Sequence, residues 1–326
     1  MNKNPILTII VPSYNIEKYI DDCVPFYDNE RFRGKLLVYF IDDGATDLTK
    51  EKLAYYINKN PEVFSFFHKE NGGHGSVINY GVHNLVFTKY FKIVDGDDWV
   101  DPNNLSKLID YLYMTDDDLV VNDYTNVVGD KKTRVCCLLS NEAKTLFDLK
   151  LTIHSVTFKT SVFKENSIFL TEHVFYEDNE YVLYPLPYIK KFSYLSFPVY
   201  QYRLGNDGQS VSIGSRLKNV NHIQIIESNV LSYYEKLINT REYYQCGPVY
   251  ERALSYFFAN DYIYLLSQNL SKDKYYISIR LLNKKVDNYP KIKKYMKKHI
   301  RLFRILSIIH FRPYYIVKLF FKERFC

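Results

Sequence analysis

The stretch YFKIVDGDDWVDP, residues 90–102, climbs through an apolar run, meets three carboxylates in four positions and stops at Trp99 and Asp101-Pro102. YFKIV reads as a buried strand, and Asp101 with Pro102 opens a helix whose Leu105, Leu108, Ile109 and Leu112 share one face. Upstream, ILTIIV (6–11), LLVYFI (36–41) and VFSFF (63–67) read as strands of the same kind. Between them Ile20, Val24 and Tyr27, then Leu53, Tyr56 and Ile57, then more loosely Val77, Tyr80 and Leu85, recur at helical spacing. Strand alternating with helix predicts an α/β protein built on a parallel, doubly wound sheet.

In such a sheet ligands bind beyond the carboxyl ends of the strands, so the residues just past each run matter most. The runs deliver Pro12-Ser13-Tyr14-Asn15, Asp42-Asp43-Gly44, His68-Lys69-Glu70-Asn71-Gly72-Gly73 and Asp95-Gly96-Asp97-Asp98. Parallel strands bring all four to one edge. Carboxylates crowded there repel one another unless a cation sits among them. A divalent ion held by one or two carboxylates and a substrate phosphate, Mg²⁺ or Mn²⁺, fits that need. The plainer reading is that Asp97, Asp98 and Asp101 only cap the following helix. Two rival motifs fail, the first on context, since Lys69 to Asn71 intervene after the strand and Asp95 heads an acidic cluster, the second on its residues. Gly73-His74-Gly75 starts a dinucleotide fingerprint but has Ile78 at the third glycine, and a calcium loop from Asp95 would need Gly and Glu where Val100 and Ser106 stand.

At 326 residues, 47% hydrophobic and 17% aromatic, the chain has the makings of a folded globular protein. Its five cysteines, Cys23, Cys136, Cys137, Cys246 and Cys326, form no C-x-x-C pair, so neither a disulfide framework nor a zinc site is expected. The short apolar run before Pro12 is too small for a signal peptide, and no stretch reaches the roughly 20 apolar residues of a membrane span. The expected location is the cytoplasm, with peripheral contact at the inner face of the plasma membrane.

From about residue 115 the rhythm changes. DDDLVVNDY and TRVCCLL read as strands of a mixed second half, making the whole a doubly wound mixed sheet, KENSIFLTEHVFYEDNEYVLYPL as loop then helix, and residues 216 to 288 as helical.

The ordered blocks IIVPSYN, IDDGATD, NGGHGSVIN, VDGDDW and YEDNEY, between about residues 5 and 210, resemble the family 2 glycosyltransferases of the GT-A fold. The resemblance implies a GT-A catalytic domain over 1–215, with a nucleotide-sugar half to about 115 and an acceptor half from 116, followed by a helical C-terminal region over 216–326. It implies that Pro12, Ser13 and Tyr14 lie against the nucleotide, that Asp43 accepts from a uracil ring nitrogen, and that Gly72 and Gly73 let backbone approach the donor. A UDP-sugar would then be the donor, with Asp95 at the ribose and Asp97 ahead of Asp98 as ligands of Mn²⁺ or Mg²⁺. Glu177-Asp178 match the family's E-D pair, whose aspartate is the general base of an inverting displacement. Without the family, an E-D pair opening a helix is a dipole partner. Tyr202-Arg203 and Gln209-Ser210 resemble a segment that closes over the phosphates. The family often has Arg where this chain has Ile78. His74, His154 and His173 receive no role, His74 being the best placed of them.

The implied reaction is sugar transfer to a hydroxyl of a glycan or lipid-linked acceptor in cell-surface polysaccharide synthesis. The alternatives are a catalytically silent UDP-sugar-binding module and a nucleotidyltransferase; the latter would want a glycine- and lysine-rich loop that PSYNIEKY lacks.

Residues 291–326 carry eleven Lys and Arg against one Glu, while the rest of the chain sums to −4. Lys294, Lys297, Lys298, Arg301 and Arg304 fall on one helical face, and Ile292, Tyr295, Met296, Ile300 and Phe303 on the other. Such a helix suits an anionic membrane surface, or packs its apolar face on the protein. The acidic remainder argues against nucleic acid.

Overall fold

The computed structural model describes residues 4–205, 215, 218–267, 271–300 and 303–304. The chain divides into two compact units, Met1–His222 and Ile223–Cys326.

Among the described residues the first unit holds nine strands: β1 (Leu7–Pro12), β2 (Leu36–Asp42), β3 (Phe64–His68), β4 (Tyr90–Ile93), β5 (Trp99–Val100), β6 (Leu119–Val128), β7 (Lys131–Val135), β8 (Val156–Lys159) and β9 (Phe192–Arg203). Its helices are α1 (Ile20–Cys23), α2 (Thr49–Lys59), α3 (His74–Tyr80), α4 (Pro102–Met114), α5 (Thr160–Glu165) and α6 (Asp178–Leu183). Sheet order is β3-β2-β1-β4-β8-β6-β9-β5, with β7 paired to β6. The first four strands in that order run parallel. Leu7, Ile9 and Ile10 of β1 have no exposed surface, as expected of a strand covered on both faces.

After β4 the sheet becomes mixed: β8 runs antiparallel to β4 and β6, and β6 runs parallel to β9. TRVCCLL is a strand only as far as Val135. The backbone N–H of Cys137 donates to the buried Asp123 Oδ1 (2.8 Å), which draws the chain off the ladder. Helix α3 widens into a π-helical turn at Gly81–Leu85, which accounts for the loose spacing of Val77, Tyr80 and Leu85. A Cβ at Gly81 would lie 2.8 Å from methyls of Ile10 and Ile41, so α3 lies directly on β1 and β2.

The second unit contains α7 (Val220–Leu237, entering from the first), α8 (Tyr243–Ser267), α9 (Lys272–Asp287) and α10 (Pro290–His299). Helix α10 packs on α8 and α9. Ile292, Met296 and Phe303 are buried, and the Phe303 ring meets Tyr262 edge-on at 5.2 Å. The apolar side of the basic stretch therefore faces its own helices. Residues 301–302 and 305–326, the remainder of the expected tail, lie outside the described residues. Among the described residues no helix is long and apolar enough to cross a membrane.

Candidate active site

The acidic cluster at the end of β4 is packed against the loop that follows β1. A Cβ on Gly96 would sit 2.7 Å from the carbonyl oxygen of Pro12 and from Ile16, so only glycine lets these two strand ends touch. Ser13 is fully buried and donates to the Val11 carbonyl (2.8 Å), while Tyr14 is half exposed. Asp101 caps α4 by accepting from the Asn104 N–H (2.8 Å). The plain capping reading thus applies to Asp101, whereas Asp95, Asp97 and Asp98 precede the helix and face other partners.

Asp98 is buried. Its Oδ2 accepts from the Tyr200 hydroxyl (2.6 Å) and its Oδ1 from the Arg203 N–H (2.7 Å). Tyr200 also accepts from the Asp95 N–H (3.2 Å), tying strand β9 to the acidic loop. Burial, with the charges of Asp97 and Asp95 beside it, pushes the Asp98 carboxyl well above the usual carboxylate range. Carboxyl oxygens of Asp95 and Asp98 and a ring nitrogen of His154 all lie within 4.8 Å of one another. His154 lies against Tyr202 (ring centroids 4.1 Å), and its Nδ1 has no hydrogen-bond partner. Burial lowers its pKa to about 4, which leaves a neutral imidazole able to ligate. Lys92, buried below, donates to the carbonyls of His154 (2.9 Å) and Val156 (3.0 Å) and so fixes the start of β8.

This set fits a divalent cation: two carboxylates that repel, and an orphaned imidazole nitrogen beside them. The sequence expectation placed Asp97 ahead of Asp98 and kept Asp95 for the ribose. In the structure it is Asp95 and Asp98 that converge, and Asp97 is not among the three.

Arg203 is brought to the same place. Its Nε donates to the Asp97 carbonyl (2.9 Å), and its guanidinium lies over the rings of Trp99 (4.9 Å) and Tyr19 (5.4 Å). Gln209 and Ser210 lie outside the described residues.

Asp43 is held differently. Its Oδ1 accepts from the Gly72 N–H (3.0 Å) and Lys69 Nζ (2.7 Å), and its Oδ2 from the Gly73 N–H (2.8 Å). It folds the glycine loop back across β2, leaving a base only its remaining lone pairs. Gly73 has φ +83°, a conformation that favours glycine.

That loop lies against the segment carrying Glu177 and Asp178. The His173 N–H donates to the Gly72 carbonyl (2.7 Å), and a Cβ on Gly75 would meet the Thr171 carbonyl oxygen at 2.5 Å. His173 and Tyr176 both adopt positive φ (58° and 74°), strained positions just ahead of Glu177. Buried Glu180 braces the turn by accepting from the Thr171 N–H (2.7 Å) and hydroxyl (2.9 Å). Between loop and turn stands His74, with Nδ1 2.6 Å from Glu177 Oε1 and Nε2 3.0 Å from Asp95 Oδ1. Burial alone would lower the His74 pKa, but its bonds to Asp95 and Glu177 more than reverse this and hold it well above normal. Burial and the neighbouring Glu177 charge raise Asp178 to about 6, against the opposing pull of His74.

Residues 8–168 match the profile described as Glycosyl transferase family 2. The first unit is a family 2 glycosyltransferase domain. Relatives of this domain include the uncharacterized glycosyltransferase MG060 homolog of Mycoplasma pneumoniae, 35% identical over 36% of this chain and 40% of that protein. Another is the glycosyltransferase GlyG of Streptococcus pneumoniae, 27% identical over 37% of this chain and 40% of that one. The match spans only about two fifths of the length of these curated relatives. The chain superposes on residues 1–349 of S. aureus TarS, solved in complex with UDP-GlcNAc, with TM-score 0.66 at 18% identity, over 98% of this chain and 92% of that one. The fold is therefore the expected GT-A architecture.

Tyr200, His74 and His154 receive no role from the sequence alone. Tyr200 stands two positions before the noted Tyr202, a strand spacing that puts both on one side. His154 carries no local signal, because its carboxylate partners Asp95 and Asp98 lie 56 or more positions away.

Proposed function

We propose that the glycosyltransferase domain catalyses inverting transfer of a sugar from a UDP-sugar to a hydroxyl of a glycan or lipid-linked acceptor. The observation that carries this reading is the convergence, through His74, of the acidic edge of β4 and the Glu177-Asp178 turn into one site. The TarS complex with UDP-GlcNAc, of the same fold, supports a uridine donor.

In this reading Pro12, Ser13 and Tyr14 form the wall for the nucleotide, and the Gly72-Gly73 loop, pinned by Asp43, approaches it with bare backbone. Asp95, Asp98 and His154 hold a divalent cation, which when bound neutralises charge developing on the departing diphosphate. Arg203, stacked on Trp99, sits beside the acidic loop where an arginine fork suits phosphate oxygens. Asp178 takes the proton of the acceptor hydroxyl as that oxygen attacks the anomeric carbon from the face opposite the diphosphate. A carboxylate raised to about 6 is ionised near neutrality yet basic enough to accept that proton. Exposed lysines of α10 are offered to an anionic membrane surface, which would bring the domain to lipid-linked acceptors.

The test is a panel of nucleotide sugars, each with Mn²⁺ or EDTA, scored for released nucleoside diphosphate. Release of uridine diphosphate with Mn²⁺ and its loss with EDTA is the expected result. Uridine diphosphate binding with no turnover for any sugar would leave a silent binding module instead.

A further inference from the structure

In the helical unit α7, α8 and α9 enclose a cavity of about 550 Å³, a volume typical of small-molecule sites. Glu227 of α7, Asp261 of α8 and Lys285 of α9 line it together. Three or four positions from these charges, on the same helix faces, stand Leu231, Tyr264, Leu265, Leu281 and Leu282, which line it too. Each helix therefore gives the cavity one charged group and one apolar wall. Leu281 is 64% exposed, an uncovered leucine in that wall. All of these residues belong to the helical unit, and none to the transfer site described above.

The charges leave one position open. Lys285 donates to Glu227 Oε1 and, at 3.0 Å, to Asp261 Oδ2, and its ammonium lies 5.0 Å from the centre of the Phe258 ring. Glu227 is 2% exposed, and its Oε2 has no hydrogen-bond partner among the described residues. A buried carboxylate oxygen left so costs about 1–3 kcal/mol, which a donor recovers. The chemistry of that donor is narrow. A phosphate or other anion meets two carboxylates and a lysine already engaged. A cation competes with Lys285 for both. A hydrocarbon chain covers the leucines but leaves Oε2 unpaired. An uncharged molecule with hydroxyls round its edge and C–H groups on its faces meets both requirements, and a sugar ring is built that way. Gln224, Ser228 and Ser278, also in the lining, offer amide and hydroxyl partners to further hydroxyls.

We propose that this cavity is a saccharide-binding subsite, in which Glu227 accepts a hydrogen bond from a sugar hydroxyl while the leucines and Tyr264 cover the ring. Such a subsite keeps a glycan acceptor on the enzyme between transfers. That role rests on the transfer reading above, whereas the binding of sugar does not.

The test is saturation-transfer NMR on the full chain at mildly alkaline pH, where Glu227, raised to about 7, is ionised. The probes are glucose, galactose, N-acetylglucosamine and maltose, with toluene as the apolar comparison and the thermal midpoint of each protein as a folding control. At least one sugar is expected to receive saturation from the wild type and from Asp98→Asn. Ser228→Trp, which fills the cavity from an exposed position, is expected to abolish that signal. Ser278→Trp replaces it should Ser228→Trp unfold. Glu227→Gln keeps the shape and an acceptor for Lys285 but exchanges the open acceptor for an amide, and is expected to weaken binding about fivefold or more. No sugar signal from the wild type, saturation of toluene alone, a signal undiminished in Ser228→Trp, or wild-type affinity in Glu227→Gln overturns the proposal and leaves the transfer reading intact. Sugar binding that is lost in Ser228→Trp, in a chain that releases no uridine diphosphate from any donor, upholds the subsite and overturns the transfer reading instead.

Discussion

Two buried acidic clusters in this chain, one in each unit, are treated in opposite ways. In the helical unit Glu227 and Asp261 both bond the ammonium of Lys285, the latter at 3.0 Å, so two anions share one built-in cation. In the glycosyltransferase domain Asp95, Asp98, Glu177 and Asp178 gather with the His74 imidazolium lying between Asp95 and Glu177 only. Asp98 is left to hydrogen bonds from a tyrosine and a backbone amide. A cluster closed by its own lysine has no electrostatic use for a ligand. One that retains excess negative charge, next to an orphaned imidazole nitrogen, is the one we propose for a cation from outside.

The contrast breaks first at Asp178. Asp178→Asn is expected to lower transfer by on the order of 10²–10⁴, the usual contribution of a general base, with uridine diphosphate affinity retained. A variant as active as wild type would remove the base from this residue. Next, Asp98→Asn should abolish the response to Mn²⁺ and reduce turnover on the order of a hundredfold or more, since several kcal/mol of charge stabilisation is lost. Titrating Mn²⁺ against activity checks it. Glu227→Gln, in the closed cluster, should leave metal dependence unchanged.

The two clusters also differ in pH response. Activity should fall as pH drops through about 6, where Asp178 takes up a proton and ceases to be a base. In the helical unit, burial and then the charge of Asp261 raise Glu227 from 4.5 to about 7. Between those values the folded state holds a proton that the unfolded chain has released, so stability declines as pH rises from about 4.5 to 7 and levels off above. Thermal unfolding of the full chain across that range and up to mildly alkaline pH reads this, and Glu227→Gln should flatten the slope.

Packing and surface charge govern smaller effects. Gly75→Ala forces a methyl to 2.5 Å from the Thr171 carbonyl oxygen and should cost about 1–3 kcal/mol, seen as a lower thermal midpoint with activity reduced alongside. Lys294→Glu with Lys298→Glu should weaken binding to phosphatidylserine vesicles by about 1 kcal/mol for each lysine lost. Unchanged vesicle binding would confine the role of α10 to packing, which its buried Ile292 and Met296 already perform.

Much of this was legible along the chain, for identifiable reasons. Four apolar runs between helical spacings specify parallel strands, because a strand covered on both faces must be apolar throughout. Glycine next to polar residues at each strand end marks where backbone and ligand approach closely. His154 was not legible, because a lone histidine carries no periodicity and acquires meaning only when β8 sets it beside β4. The amphipathic stretch after 290 was legible as a pattern but not as a partner, since an apolar face reads the same whether it meets lipid or a neighbouring helix.

Sequence by itself determined the sheet, the glycine loop and the residue types at each strand end, since these arise from local periodicity and backbone freedom. Only the tertiary structure decided which carboxylates meet. The grouping of Asp95, Asp98 and His154, and the place of His74 between Asp95 and Glu177, are outcomes of strand order and of a turn held by Gly75 and Glu180. Electrostatics depends on distances in space, which residue spacing along the chain does not encode.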